Sequence, residues 1–228
     1  KLAAEAEILA ALAPAIKPAL IAAMPKLQWV QALTTGVDNL VAMAELSPEV
    51  TLTNCSGFHG PQMSELALLL MLSLARNFPA MLDNQQAAKW ERWTQPLLSG
   101  KTACLVGLGS IAEMLAKRCA ALDMRLTGVS NGRSQLDGFD HIYKRDEIGS
   151  AAREADFRII IVPYSSETHH IIDAETLDVM KRSAFLINIS RGGCVDERAL
   201  LSALDSGKLA GAGMDVFETE PLPSKSPL

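Results

Sequence analysis

In the C-terminal part of the chain, short runs that are apolar at every position alternate with segments whose apolar residues recur every three or four positions. "TACLVG" (102–107) is followed by "SIAEMLAKRCAAL", which has helical periodicity, and then by "RLTGVS" (125–130). The alternation continues through "FRIIIVP", "AFLINIS" and "AGAGMDV", with "AETLDVMKRS" and "DERALLSALDSGK" between them. Runs that are apolar throughout suit parallel strands covered on both faces, and the intervening periodic segments supply the covering helices. The predicted fold class is therefore α/β, with a Rossmann-type, doubly wound parallel sheet. Before Thr102 the pattern changes. Pro14, Pro18, Pro25 and Pro48 punctuate the first 50 residues, and only "LQWVQAL" and "VTLTNC" read as strands. A long helix from about Pro61 to Asn77 leads toward the βαβ region, with Ser64 an early polar position on it. These features predict a partial substrate-binding unit over residues 1–62 and a dinucleotide-binding unit over residues 63–228.

Composition narrows the possibilities. A chain of 228 residues that is 49% hydrophobic can bury a sizeable core. A net charge of -5, with dispersed Lys and Arg, offers no basic stripe for nucleic acid. The most apolar stretch, "LALLLMLSLA" (66–75), is about half of the ~20 residues a bilayer span requires, so it is expected to be a buried helix and not a membrane anchor. Cys55, Cys104, Cys119 and Cys194 are far apart, with no CxxC and no histidine at ligand spacing, so no metal site is expected. Reduced thiols and the lack of a basic leader predict a cytoplasmic protein.

The turn "GLGSIA" places Gly107, Gly109 and Ala112 in the GxGxx(G/A) arrangement, directly after a strand and before a helix. The first glycine permits a tight turn, the second admits a pyrophosphate to the backbone, and the small third residue lets helix and strand pack closely. The phosphates are expected on the free amides at the helix start, chiefly those of Ser110 and Ile111. Roughly 20 residues further on, an NAD site usually carries Asp or Glu for the ribose 2′-hydroxyl. Here "VSNGRS" offers Ser130, Asn131, Arg133 and Ser134 and no carboxylate to repel a 2′-phosphate, so NADP(H) is expected over NAD(H). Arg133 read blandly is only a solvated loop arginine.

Downstream, "NISRGGCVDERALLSALDSGKLAGAGMDVFETEPLP" (188–223) closely resembles the signature of the D-isomer-specific 2-hydroxyacid dehydrogenases. The resemblance extends through "LQWVQALTTGVDNL", "TNCSGFHGPQMSELALLLMLSLARN", "VGLGSIAEMLAKRCAAL" and "ADFRIIIVPYSSETHHIIDAETLDVMKRSAFLIN", nearly the whole chain. It implies two Rossmann-like domains around a cleft, a nicotinamide cofactor, a small 2-oxo or 2-hydroxy acid of the glyoxylate or hydroxypyruvate type, and a homodimer. It further implies that Arg191 orients the acid and that Glu220 hydrogen-bonds an acid/base histidine. Asp215, Ile189 and Ser190 would lie at the nicotinamide end, and Val162 and Pro163 beside the adenosine half. Thr35 and Gly36 would hold the substrate carboxylate on backbone amides. Without the resemblance, Glu220 before Pro221 and Asp215 after its strand read as ordinary turn residues. An arginine followed by two glycines at a strand end is poorly explained by packing alone.

Reducing a 2-oxo acid takes a hydride and a proton, and a carboxylate-paired histidine supplies the proton near neutral pH. The resemblance puts that histidine some tens of residues beyond Glu220, and eight residues follow Glu220 here. His59, His141, His169 and His170 all lie elsewhere, so the acid/base histidine is expected outside this sequence, as is some N-terminal sequence. His59, in "GFHGP", sits near the substrate-side segment without a family counterpart. A competing function, from a different class, is a dinucleotide-sensing interaction protein that keeps the fold without the chemistry.

Overall fold

A computed structural model describes residues 2–228. The chain forms two compact units that divide between His59 and Gly60.

The first unit is a three-stranded parallel sheet in the order β1-β2-β3, formed by β1 (Ile8–Ala11), β2 (Trp29–Ala32) and β3 (Thr51–Thr53). Two short helices, α1 (Pro18–Ala22) and α2 (Asp38–Val41), lie in the connections. Pro18 occupies the first turn of α1, where its missing N–H is not needed. Ala13, Ile16, Ile21, Val30, Ala32 and Leu40 are buried together as the core of this unit. The strand pattern predicted β2 and β3 but not β1. "ILAA" is rich in a helix-favouring residue, and it is strand because Ile8 to Ala11 pair in register with Trp29 to Ala32. Long-range pairing overrides local propensity there.

The second unit begins with α3 (Gly60–Arg76) and α4 (Phe78–Gln86), followed by β4 (Thr102–Val106), α5 (Ser110–Ala120), β5 (Arg125–Val129) and β6 (His141–Tyr143). It continues with α6 (Ile148–Glu154), β7 (Phe157–Ile160), α7 (Ala174–Asp178), β8 (Phe185–Asn188), α8 (Glu197–Asp205) and β9 (Gly211–Met214). All six strands are parallel, in the order β6-β5-β4-β7-β8-β9. That is the doubly wound arrangement, whose order reverses between β4 and β7 and leaves a crevice at the strands' carboxyl ends. Successive β4 side chains explain its unbroken apolar run. Ala103 and Leu105 join one buried cluster with Ala67 and Met71 of α3 and Leu115 of α5. Cys104 and Val106 join the other, with Ala151, Leu177 and Leu200 from α6, α7 and α8. With a period of two and both faces covered, no position can be polar cheaply. Leu105 is fully buried, and truncating it to alanine would cost about 2–5 kcal/mol.

Four buried strand residues break that rule, the polar Thr102, Thr127 and Asn188 and the charged Arg158. Arg158, on β7, is fully buried; its Nη2 donates to the Ile148 carbonyl at 3.0 Å, while Nε and Nη1 lie within hydrogen-bonding geometry of no group among the described residues. Burial lowers the pKa of this guanidinium.

Helix starts follow local chemistry. Asp173 caps α7 by accepting from the Thr176 amide at 2.8 Å, and Asp196 caps α8 by accepting from the Arg198 and Ala199 amides, both at 3.0 Å. No single helix is long and apolar enough to cross a membrane among the described residues.

Candidate active site

The glycine turn sits where β4 ends and α5 begins. Gly107 has φ +97°, and its amide donates to the Val129 carbonyl at 3.0 Å, tying the turn to β5. A Cβ on Gly107 would lie 2.8 Å from the Val162 backbone, so both conformation and space demand glycine. Gly109 differs: its φ is -91°, which any residue adopts, and a Cβ there would meet nothing within 4 Å. Neither the fold nor a protein neighbour requires glycine at 109. Open space beside the backbone suits a group lying against it, as the pyrophosphate of a dinucleotide does. No side chain caps α5, so its first amides are available to an anion. Ala112, fully buried, keeps α5 close to the sheet. The residues present fit a dinucleotide.

The loop after β5 is organised around two side-chain acceptors. Ser130 Oγ accepts from the Gly132 and Arg133 amides at 3.2 and 3.1 Å, and Asn131 Oδ1 accepts from the Arg145 amide at 2.9 Å. The Arg133 guanidinium pairs with Glu113 of α5, so it is tethered to the helix that follows the glycine turn. Ser134 follows in the same exposed loop. Sequence reading did not single out Arg145, whose backbone braces this loop and whose side chain pairs with Glu167 at 2.8 Å. Only the β5–β6 pairing, with its short and unpredicted β6, brings "KR" alongside "SNGRS".

Across the sheet reversal, Val162 and Pro163 follow β7. The Val162 carbonyl accepts from Ser190 Oγ, and the Pro163 carbonyl accepts from Thr168 Oγ1 at 2.7 Å. Ser190 thereby joins the β7 loop to the β8 loop. Buried Asn188, at the end of β8, organises the next turn: its Nδ2 donates to the Arg191 carbonyl at 2.9 Å, and its Oδ1 accepts from the Ser190 amide at 3.1 Å. Ile189, between them, is buried, and Arg191 Nη1 donates to the Ser190 carbonyl at 2.9 Å.

The two glycines after Arg191 admit neighbouring chain. A Cβ on Gly192 would overlap the backbone of Phe217 and Glu218, and one on Gly193 would lie 2.7 Å from the Tyr164 ring. The "FETEP" segment therefore crosses directly over Gly192. It is fixed there by His170 Nε2 on Glu218 Oε1 at 2.7 Å and by the Glu218 amide donating to Glu197 at 2.7 Å. His170 has φ +48°, and its amide donates to the Gly193 carbonyl at 2.8 Å. Within the segment, Glu220 Oε1 accepts from the Phe217 amide at 2.9 Å. Asp215 begins it, its amide donating to the Asn188 carbonyl at 3.3 Å. Partial desolvation pushes the Asp215 carboxyl up; its own backbone amide opposes the shift, Glu220 adds to it, and Arg191 opposes it. Arg191 and Glu220 are thus each within electrostatic reach of Asp215.

Thr35 and Gly36 belong to the first unit, in the turn after β2. Thr34 Oγ1 donates to the Gly36 carbonyl at 2.8 Å, Asn54 Nδ2 to the Thr35 carbonyl at 2.7 Å, and Thr35 Oγ1 to the Cys55 carbonyl at 2.9 Å. Carbonyls are thus occupied on one side of the turn, while the Thr35 and Gly36 amides donate to no group among the described residues. Exposed amides of this kind suit an anion. No group of three or more His, Cys, Asp or Glu capable of holding a metal occurs among the described residues.

A doubly wound sheet with an uncapped helix at a glycine turn, placed at the sheet's reversal point, defines a dinucleotide-binding protein. Residues 68–228 match the family profile of the D-isomer specific 2-hydroxyacid dehydrogenase NAD binding domain, and the chain belongs to that family. It is 34% identical over 209 residues to D-3-phosphoglycerate dehydrogenase of Methanocaldococcus jannaschii, covering 89% of this chain and 39% of that protein. It is 33% identical over 220 residues to glyoxylate/hydroxypyruvate reductase B of Enterobacter sp. (strain 638), covering 93% of this chain and 68% of that protein. A D-isomer specific 2-hydroxyacid dehydrogenase family protein of Aeromonas salmonicida superposes with TM-score 0.91 and 37% identity over 100% of this chain and 73% of that one. The D-isomer specific 2-hydroxyacid dehydrogenase of Xanthobacter autotrophicus Py2, solved in complex with NADPH and MES, gives TM-score 0.85 and 30% identity over 98% of this chain and 70% of that one. The chain therefore spans between about two fifths and three quarters of the length of these proteins.

Proposed function

We propose that the protein transfers a hydride between a nicotinamide dinucleotide, NADP(H) in preference to NAD(H), and a small 2-oxo or D-2-hydroxy acid of the glyoxylate or hydroxypyruvate type. The observation that carries this reading is the convergence of the Arg191, Asp215 and Glu220 segments at the carboxyl ends of β8 and β9, where Asn188 bonds the backbones of Arg191 and Asp215, Phe217 and Glu218 lie over Gly192, and Glu220 bonds Phe217, on the sheet whose reversal point carries the glycine turn. Arg191 would hold the acid through its carboxylate and carbonyl oxygen, its planar fork matching both. Glu220 would hold the imidazole that exchanges a proton with the substrate oxygen. Thr35 and Gly36 would receive the carboxylate on their amides, and the α5 amides with Gly109 would carry the pyrophosphate. When bound, the nicotinamide supplies or accepts the hydride at C2 of the acid.

Support for NADP(H) comes from a β5 loop without a carboxylate at the ribose position and from the NADPH bound to the Xanthobacter relative. The Arg133–Glu113 pair holds a guanidinium at that loop, where it can turn to a 2′-phosphate. A homodimer is supported by exposed Leu69 and Leu72 on α3 and Phe78 and Leu82 on α4. Cys55, Cys104, Cys119 and Cys194 form no disulfide among the described residues, which supports a reducing compartment such as the cytoplasm.

The test is nicotinamide absorbance with the full-length protein, NADPH or NADH, and a panel of 2-oxo acids. NADPH oxidation well above NADH oxidation is expected, with kcat/KM falling by about a hundredfold or more in Arg191→Ala, since a charge-assisted fork to the substrate is lost. NADPH binding without turnover of any acid would overturn the enzymatic reading and leave a dinucleotide sensor.

A further inference from the structure

One imidazole in the first unit is bonded to the turn to which the substrate carboxylate is assigned. His59 Nδ1 lies 3.0 Å from Thr35 Oγ1. The threonine hydroxyl has a single proton, and it is donated to the Cys55 carbonyl at 2.9 Å. Thr35 Oγ1 is therefore the acceptor toward His59, and Nδ1 carries the hydrogen. In the neutral ring this fixes Nε2 as the bare acceptor nitrogen. The other polar side chains at the turn are spent on the protein itself. Thr34 bonds the Gly36 carbonyl, Asn54 the Thr35 carbonyl, and Gln31 the Ala32 carbonyl and Cys55 Sγ. His59 Nε2 has no partner among the described residues.

We propose that His59 is a specificity-determining residue that selects 2-oxo acids bearing a hydroxyl on C3, accepting that hydroxyl's hydrogen at Nε2. The inference rests on the reading of Thr35 and Gly36 as the carboxylate cradle. In a 2-oxo acid only C2 separates the carboxylate carbon from C3, so a substituent on C3 falls beside the residue that holds the carboxylate. An acceptor nitrogen braced there favours a C–OH over a methyl of the same size, because the methyl leaves the nitrogen desolvated and unpaired.

Hydroxypyruvate and 2-oxobutyrate are the matched pair for the test, differing by OH against CH3 at the same position. Their kcat/KM ratio is measured with NADPH for the full-length parent, His59→Asn and His59→Leu, alongside NADPH affinity by fluorescence. Asparagine keeps an amide N–H where Nδ1 donates to Thr35 but has no counterpart of Nε2, so it separates selectivity from bracing of the turn. The parent is expected to prefer hydroxypyruvate. Both variants are expected to lower the ratio by about tenfold, mainly through KM for hydroxypyruvate and with NADPH affinity unchanged. If the parent prefers hydroxypyruvate and His59→Asn keeps the parental ratio while His59→Leu loses it, His59 only braces the turn and the proposal falls. A parent that reduces both acids without preference overturns it too. A parent that reduces neither overturns the functional reading itself, and this inference with it.

Discussion

Asp215 shows how a single residue is held against its own preference. Its carboxyl is partly desolvated just after β9; its own backbone amide and Arg191 offset this only in part and Glu220 adds to it, so its pKa is raised from the ordinary value. A carboxyl whose folded pKa exceeds its unfolded one favours the fold when protonated. That contribution is complete below the unfolded pKa of about 4 and is lost as pH rises through the raised value. Near neutrality the charge therefore opposes folding, and Asp215→Asn is expected to melt at a higher temperature than the parent. Thermal unfolding from about pH 7 down to about pH 4 checks the sign, because the advantage should shrink as the parental carboxyl takes up its proton. A residue kept at a cost to stability beside Arg191 is what a site selected for its chemistry would contain. Cys119 is the contrast. Burial alone pushes its thiol up to about 12, and it packs inertly among the α3 and α5 residues.

At the scale of elements, the loops of the candidate site are positioned by close backbone approach. The segment after β9 lies over Gly192 so tightly that any Cβ would strike Phe217 and Glu218, and the His170–Glu218 pair also holds it. His170 keeps φ +48°, a conformation that costs a residue with a Cβ on the order of 1 kcal/mol or more, and three contacts outweigh that cost: Gly193, Glu218 and the stacked ring of His169 at 3.9 Å. Gly192→Ala is expected to displace Glu220 while leaving the β4–α5 turn untouched. The measurable outcome is a fall in kcat of about tenfold or more, with the Kd for NADPH changed little. Equal losses in both would mean that the glycine supports the whole sheet end and not the loop.

For the whole molecule, stability and cofactor are linked through the second unit. A ligand that binds only the folded chain adds about 2.7 kcal/mol at a hundred times its Kd, which for a protein of this size raises the melting temperature by roughly 5–11 °C. Differential scanning fluorimetry with NADPH is expected to show a rise of that order, and NADH a smaller one at the same concentration. Equal shifts would remove the β5 loop from the selection of cofactor.

The sequence by itself determined the doubly wound class, the positions of β4, β5, β7, β8 and β9, and the glycine turn. Each is written in neighbouring residues: Ala103 to Val106 are apolar because both sheet faces are covered, and Gly107 is glycine because its φ is positive. Tertiary structure decided what depends on residues far apart in the chain. β1 is a strand because β2 pairs with it, and β6 because β5 does. His170 meets Glu218 across 48 residues, His59 meets Thr35 across 24, and the Arg145 amide finds Asn131 across 14. The empty space beside Gly109 and the crowding over Gly192 look identical in a sequence, where each is only a glycine. Local periodicity records which face of an element is buried; it does not record which distant side chain arrives there, because that is fixed by the packing of whole elements.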